Sequence, residues 1–475
     1  MANKSTEDKG QTTEDGVASR ISSVFHRPTS TIETADRMAT WYDQSAVAAR
    51  EWPQLTFDLD IDVCVIGGGL AGITVARELA RRNWGVVLID ANRIAAKASG
   101  RNTGFVLPGF GQSIGRLIER CGLAHTKALW ALSEEGVAYV RNAILDLAMV
   151  GVDPVDGWLD VCRDDNADDV VSTLTLLAQD LGATVEGWPV ERVREALKTD
   201  SYFQALHFPK AFHMHPLNYA LGLAADAERH GARLFEQTEA LELDPMGVRK
   251  RITTPSAKIR ANYVVLAGNV QLARIAPDLA GTILPITTYV AVTQPIGYLS
   301  DAVSYHGAVS DSRTAGCRYR VVERDRLMWS DGATAWGGDP RRYANQIKAA
   351  IVRTYPQLRE VEIAHVWSGI AGYAVHGMPQ VGELSPGLWV ANAFAGHGVN
   401  TTAIAGQLIA RAIVEHDDAW RLFLPYDLVW AGGQLGRAVM QGNHWARRTA
   451  ETLRGHAARK REAGARQLHT AGSFK

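Results

Sequence analysis

Asp62-Val63-Cys64-Val65-Ile66-Gly67-Gly68-Gly69-Leu70-Ala71-Gly72 is the stretch that decides the fold. Its four apolar residues, Val63 to Ile66, read as a buried strand, and the glycine turn that follows opens a helix reaching Arg82. After Gly85 a second apolar strand runs from Val86 to Ile89 and ends on Asp90, 18 residues beyond Gly72. Each glycine has a physical reason. Gly67 permits the tight turn, Gly69 lets the backbone approach a pyrophosphate, and Gly72 lets helix and strand pack closely. Leu70 and Ala71 stand at the helix start, where free N–H groups and the positive dipole end suit phosphate. Asp90, followed by Ala91, stands where a carboxylate accepts hydrogen bonds from a ribose diol. With its strand, helix and acidic terminus in place, the turn predicts a dinucleotide site in an α/β, Rossmann-like domain.

The bulk properties narrow the rest. A chain of 475 residues exceeds one average domain, so two or three interleaved domains are expected. A formal net charge of −1 gives no electrostatic reason to expect nucleic acid or an acidic membrane as partner. Cys64, Cys121, Cys162 and Cys317 are scattered without metal-ligand spacing, a pattern that suits a reducing cytoplasmic setting. No run of 18 apolar residues is present, so no spanning helix is expected.

Periodicity gives the remaining elements. Residues 113–150 read as helical, 283–292 and 318–329 as strands of a second sheet, and 344–355 as a helix. Leu388 to Asn392, the turn Ala393 to Gly398 and an apolar helix to Val414 repeat the strand–glycine–helix layout far along the chain. The organisation expected is a mobile leader (1–40), an N-terminal arm (41–60) and a first cofactor-binding part (61–112). A helical and substrate-domain segment (113–205) and a second cofactor-binding part (206–282) follow. A substrate-domain sheet (283–360), a last cofactor-binding part (361–420) and a C-terminal extension with a basic helix (421–475) complete it. The basic residues are Arg447, Arg448, Arg454, Arg459, Lys460, Arg461 and Arg466, read as a solvated helix or a contact to a subunit or an anionic surface.

A fingerprint near one end and a second glycine–helix near the other is not the layout of a simple nicotinamide dehydrogenase. A flavin needs both, because a helix start facing its pyrimidine end stabilises negative charge on the reduced ring. The stretches Ala98 to Gly104, His213 to Asn218, Val265 to Asn269, Trp367 to Gly369, Met378 to Gly382, Ala395 to Val399 and Gly432 to Leu435 carry a resemblance. In these the chain resembles the D-amino acid oxidase superfamily of FAD enzymes, and within it the gamma-glutamylputrescine oxidase group. The likeness spans about Trp41 to Leu435.

The resemblance implies a Rossmann-like FAD-binding domain interleaved with a smaller substrate domain on a mixed or antiparallel sheet. It implies oxidation of an amine C–N bond, with hydride passing to flavin N5 and an imine product hydrolysed by water. The substrate implied is a gamma-glutamylputrescine-like N-acylated polyamine; a D-amino acid, glycine or an N-methyl amino acid is the alternative. A flavin-binding subunit of a larger complex, docked by the tail, is the reading from another class. The resemblance further implies that Gly67, Gly69, Gly72 and Asp90 hold the ADP half. Ser99, Gly100, Arg101 and Asn102 meet pyrophosphate and flavin edge, and Ala267 and Gly268 approach the dinucleotide. Gly396, His397, Gly398, Asn400 and Thr401 face the flavin, with His397, Arg101 and Tyr373 the candidate catalytic residues. A surface salt bridge for Arg101 and a core histidine for His397 are the competing assignments, and His213 and His215 read as structural.

Departures from the family pattern also carry expectations. The stretch Ser368 to Tyr373 lacks the cysteine, and Arg101-Asn102-Thr103 the histidine, that tether flavin in some relatives, so FAD is expected to be non-covalent. Asn400 and Thr401 stand where sarcosine oxidases place a carboxylate-binding lysine, and Met328 or Trp329 where they place a lysine over the flavin. Trp329, Trp336, Trp367 and Tyr373 are candidates for a cavity lining or for ordinary core. The partners expected are a small-molecule amine and an electron acceptor, either oxygen or a quinone or other carrier. A homo-oligomer is compatible with the sequence; metal and nucleic acid are not expected.

Overall fold

The computed structural model describes residues 39–47, 50–311, 317–443, 445–446 and 449–450. The expected leader up to residue 38 and the named basic residues of the tail lie outside the described residues.

Two sheets organise the chain. The first orders its strands Gln380–Ser385, Leu388–Asn392, Lys258–Leu266, Leu59–Ile66, Val86–Ile89 and Arg233–Phe235. All neighbours are parallel except the antiparallel pair at the Gln380–Ser385 edge. Lys250–Thr253 and Glu242–Asp244 extend it as an antiparallel flap. Val63, Cys64, Val65 and Val86 to Ile89 are fully buried, as a parallel strand covered on both faces requires. The helices Leu70–Ala80, Leu123–Asp146, Pro216–Arg229 and Gly398–Glu415 cover one face and share one apolar core.

This topology gathers three turns. The strands ending at Ile66, Leu266 and Asn392 are adjacent and parallel, so the turns at Gly67, Ala267 and Ala393 leave from the same edge of the sheet. That carboxyl edge is where open α/β sheets take ligands. The glycine assignments hold sterically. Gly67 has φ +117°, and a Cβ there would come within 2.6 Å of the Ala267 carbonyl. A Cβ on Gly72 would fall inside the Gly67 carbonyl oxygen.

The second sheet is mixed, ordered Ile363–Ala374, Ile283–Thr293, Arg326–Thr334, Arg318–Val322, Ala308–Asp311, Val155–Val161, Ala205–His213 and Phe105–Val106. Only Ala308–Asp311 with Val155–Val161 is parallel along that path. One face packs on the helix Pro340–Thr354 through Tyr289, Tyr319, Trp329, Ile347, Ile351 and Tyr355. The other face turns toward the first sheet.

Several elements differ from expectation. Residues 318–329 form a hairpin rather than one strand, because Glu323 and Arg324 turn the chain with φ 51° and 69°. The helix over 113–150 is broken at Gly122, φ 80°, into Ile114–Cys121 and Leu123–Asp146. Ala205–His213, Ile363–Ala374 and Phe105–Val106 hydrogen-bond in the second sheet, though they lie in segments expected on the cofactor side. A strand's own pattern does not specify which distant strand it pairs with.

Candidate active site between the two sheets

A cavity of about 750 Å³ lies between the sheets. From the cofactor side it is lined by Leu70, Ala98, Ser99, Asn102, Gly396, His397, Gly398 and Thr402. From the second sheet it is lined by Trp158, Asp160, Ile286, Ser310, Arg318, Ser330 and Tyr373, among others.

The loop after Asp90 is held by its own polar groups. Asp90 accepts from Gly68 N at 2.7 Å and Asn92 N at 2.6 Å. Ser99 Oγ accepts from Leu70 N at 2.9 Å, satisfying a first-turn donor that Gly69 cannot cap. Asn102 Nδ2 donates to the carbonyls of Ala98 and Ser99, and its Oδ1 accepts from Gly104 N at 2.8 Å. The N-terminal arm then clamps this loop: Tyr42 donates its hydroxyl to the Asn102 carbonyl at 2.8 Å. Arg320, buried, donates to Tyr42 OH at 3.1 Å and to His213 Nδ1 at 2.8 Å. His213 Nε2 faces the His306 carbonyl at 2.9 Å, so Nε2 carries the proton and the ring is neutral. Burial, then Arg320, holds its pKa well below the usual value. His215 caps the helix Pro216–Arg229 by accepting from Asn218 N. Neither histidine lines the cavity.

The second glycine turn is strained. Ala393 and Ala395 have φ 56° and 52°, each costing on the order of 1 kcal/mol. His397 follows, half-buried, with its Nδ1 buried and lacking a hydrogen-bond partner among the described residues. Burial first, then Arg318, pushes its pKa down to about 3, so the imidazole is neutral at physiological pH. Arg318 Nη1 donates to the Gly396 carbonyl at 2.7 Å. Burial lowers the Arg318 pKa, opposed by Tyr373 and Asp160. Tyr373 is a neutral phenol, its pKa raised by burial and moderated by Arg318.

Several expected site residues do not reach the cavity. Arg101 is buried with Nε on the Ser368 carbonyl at 2.9 Å, while its own carbonyl accepts from Trp367 Nε1 at 2.9 Å. The single-turn helix Ala98–Arg101 thus aims the side chain at the strand Ile363–Ala374. Asn400 turns toward the carbonyls of Gly109 and Ser133, and Thr401 bonds the His397 carbonyl at 2.6 Å. Ala91 is exposed, and Gly67, Gly69, Ala71, Gly72, Asp90, Gly100, Ala267 and Gly268 lie around the strand ends rather than on the cavity wall. Trp329 stacks on Tyr319 at 4.4 Å on the sheet's far face, Trp367 is buried against the arm, and Trp336 is 42% exposed. Of the four candidate aromatics only Tyr373 lines the cavity.

Arg318, Asp160, Ser310, Ser330 and Thr402 are among the lining residues that the sequence reading did not single out. A signal was present in Arg318-Tyr319-Arg320 and Trp158-Leu159-Asp160, where charges interrupt strands otherwise built of apolar residues. Among the described residues no His, Cys, Asp or Glu cluster suits a metal, and no helix is long and apolar enough to cross a membrane.

Residues 62–412 match the family of FAD dependent oxidoreductases typified by D-amino acid oxidase, and the chain belongs to that family. It is 28% identical over 388 residues to gamma-glutamylputrescine oxidoreductase of Escherichia coli, covering 80% of this chain and 89% of the relative. It is 26% identical over 396 residues to the probable oxidoreductase OrdL of Haemophilus influenzae, covering 82% and 91%. Its fold is similar to that of glycine oxidase from Geobacillus kaustophilus, with a TM-score of 0.67 at 20% identity over 78% of this chain and 99% of that one. The protein is an FAD-dependent oxidoreductase acting on amines or amino acids. The glycine cradle at Gly67 and Gly72, where any Cβ would collide, and the unpartnered His397 Nδ1 fit such a group.

Proposed function

We propose that this enzyme oxidises the C–N bond of an amine that also carries a carboxylate, a gamma-glutamylputrescine-like compound being the first choice. The observation that carries this reading is Arg318, a guanidinium on the cavity wall that makes one hydrogen bond among the described residues, to Gly396. Its remaining donors suit a planar anion. An amino acid also carries a carboxylate, so Arg318 serves that second reading equally, whereas a plain diamine leaves the cation unmatched.

FAD, when bound, accepts the hydride from the carbon beside the nitrogen. The chain's own residues then have defined tasks in the proposal. The helix starting at Leu70 faces the pyrophosphate with its N-terminus, Asp90 takes the ribose, and the Ser99–Asn102 loop lies along the cofactor edge. The positive N-terminal end of the helix Gly398–Glu415, with neutral His397 next to it, would stabilise negative charge on a reduced ring. Arg318 orients the substrate anion, and Tyr373 closes the wall next to it. No cavity-lining cysteine is present among the described residues, which supports non-covalent FAD.

Anaerobic mixing of the purified protein with a panel of amines and amino acids tests this. Bleaching of the oxidised flavin band by a carboxylate-bearing amine is the expected result. Bleaching only by amines without an anionic group overturns the Arg318 assignment. Re-admitting air then separates oxygen from a quinone or other carrier as acceptor.

A further inference from the structure

The sheet register sets five side chains in one row. Asp160 pairs with Ser310, Ser310 with Arg318, Arg318 with Ser330, and Ser330 with Val290. Directly paired residues share a sheet face, and all five line the cavity. The row therefore presents a carboxylate, a hydroxyl, a guanidinium, a hydroxyl and an apolar side chain in sequence.

Arg318 has a task in the reaction proposed above; Asp160 has none. Its Oδ1 accepts from Ser310 Oγ at 2.8 Å, the only hydrogen bond the carboxylate makes among the described residues. Ser310 in turn accepts from the Trp158 indole N–H at 2.8 Å, which fixes the hydroxyl so that its one proton points at Asp160. The neighbouring carboxylate, Asp311, is already engaged by Arg163 Nε at 2.6 Å. Arg318 stands two strands from Asp160, about 10 Å at the backbone; the two charges favour each other across that gap, but the guanidinium hydrogen-bonds Gly396 and not the carboxylate. A half-buried carboxylate with a single neutral donor is poorly solvated and gains from a cation. The Trp158 ring, stacked on Phe208 at 4.5 Å, adds an aromatic surface on the same wall.

We propose that Asp160, oriented by Ser310 and flanked by Trp158, is a subsite for a substrate ammonium group other than the one oxidised. The physiological substrate then carries two amino groups besides its anionic group. The inference rests on the amine-oxidation reading above. Chemistry separates the two amines. The reacting nitrogen must offer a lone pair as hydride leaves the adjacent carbon, and an ion pair to a carboxylate would hold that nitrogen protonated. Asp160 therefore suits the amine that stays charged.

The test uses the flavin-loaded full chain, as wild type, Asp160→Asn, Asp160→Glu and Ser310→Ala. Each is titrated anaerobically with one-amine carboxylates (glycine, N-methylglycine, 4-aminobutyrate) and two-amine carboxylates (lysine, ornithine, gamma-glutamylputrescine), reading flavin reduction and apparent Kd. The wild type is expected to bind a two-amine substrate on the order of 10- to 100-fold more tightly than its one-amine counterpart, the range of one charge-assisted hydrogen bond. Asp160→Asn is expected to erase the ratio between two-amine and one-amine affinities, Asp160→Glu to restore part of that ratio, and Ser310→Ala to reduce it. Equal losses for both classes overturn the proposal, since they mark Asp160 as a proton acceptor or as a counter-ion for Arg318. A wild type without preference for two amines also overturns it, while leaving the amine-oxidation reading intact. Wild-type flavin that no amine bleaches overturns both. If Asp160→Asn does not retain flavin, the Ser310→Ala comparison decides.

Discussion

Arg318 donates from Nη1 to the carbonyl of Gly396 at 2.7 Å, across 78 residues of chain. One hydrogen bond thus joins the substrate-side sheet to the strained turn that opens the helix Gly398–Glu415. It also holds the guanidinium on the cavity wall, its other donors without a hydrogen bond among the described residues.

Replacing Arg318 by Leu is expected to lower kcat/KM for a carboxylate-bearing amine on the order of 10- to 100-fold. That follows from losing a charged hydrogen bond worth about 1.5–3 kcal/mol. Steady-state kinetics check it. Arg318→Lys recovers only part, because a lysine keeps the charge but not the fork. A Leu variant with unchanged kcat/KM would remove Arg318 from substrate binding.

His397 is held neutral, its pKa about 3, by burial and by Arg318. The reductive half-reaction should therefore show no titration of this ring between about pH 5 and 8, the span in which an unperturbed histidine changes charge. The sign for stability runs the other way from a salt-bridged histidine. The unfolded chain binds the proton near pH 6.5 and the folded chain resists it, so His397 costs stability as pH falls below about 6.5. A His397→Asn variant should flatten that part of the stability profile. A limb near pH 6.5 in the wild-type rate that vanishes in His397→Asn would contradict a neutral ring.

Gly72→Ala places a methyl group into the Gly67 carbonyl. Backbone cannot yield cheaply there, so a loss of roughly 1–3 kcal/mol is expected. Thermal denaturation and flavin content after purification measure it, and both should fall together. A variant of wild-type stability and full flavin content would show that the turn is not packed this tightly.

Tyr42 ties the arm to the Ser99–Asn102 loop and gives buried Arg320 one of its acceptors. Tyr42→Phe keeps the ring contact with Trp367 at 5.5 Å and removes only the hydroxyl. A destabilisation of about 1–2 kcal/mol is expected, together with weaker FAD retention. Equilibrium unfolding and flavin titration separate the two effects; full retention of FAD would make the arm a packing element alone.

Acid precipitation should release all of the flavin into the supernatant. The four cysteines are free, and Cys64 lies fully buried within the first strand. Yellow colour remaining in the pellet would place a covalent link that the cavity lining does not suggest.

The fingerprint from Val63 to Asp90 was legible because every part of it is local. A buried strand, a turn with positive φ at Gly67, a helix start and a terminal carboxylate lie within one short segment, and short-range sterics dictate each. The second turn at Gly396–Gly398 was legible for the same reason, and the family resemblance joined the two into an FAD site. Cavity residues contributed by the second sheet were far less legible. Asp160, Ser310, Arg318 and Ser330 sit on four strands, and only the hydrogen-bonded register brings them into one row on one face. A shift of one residue in any pairing would turn a side chain to the opposite face, where Tyr319 and Trp329 now pack. Arg101 illustrates the same limit: the single-turn helix Ala98–Arg101 brings its Nε onto the Ser368 carbonyl, a contact across 267 residues that composition does not show. The sequence by itself determined a dinucleotide site, since that is written in local backbone geometry, and the family resemblance made the dinucleotide FAD. Only the tertiary structure decided which charges meet the substrate, since strand pairing is a long-range choice that no single strand encodes.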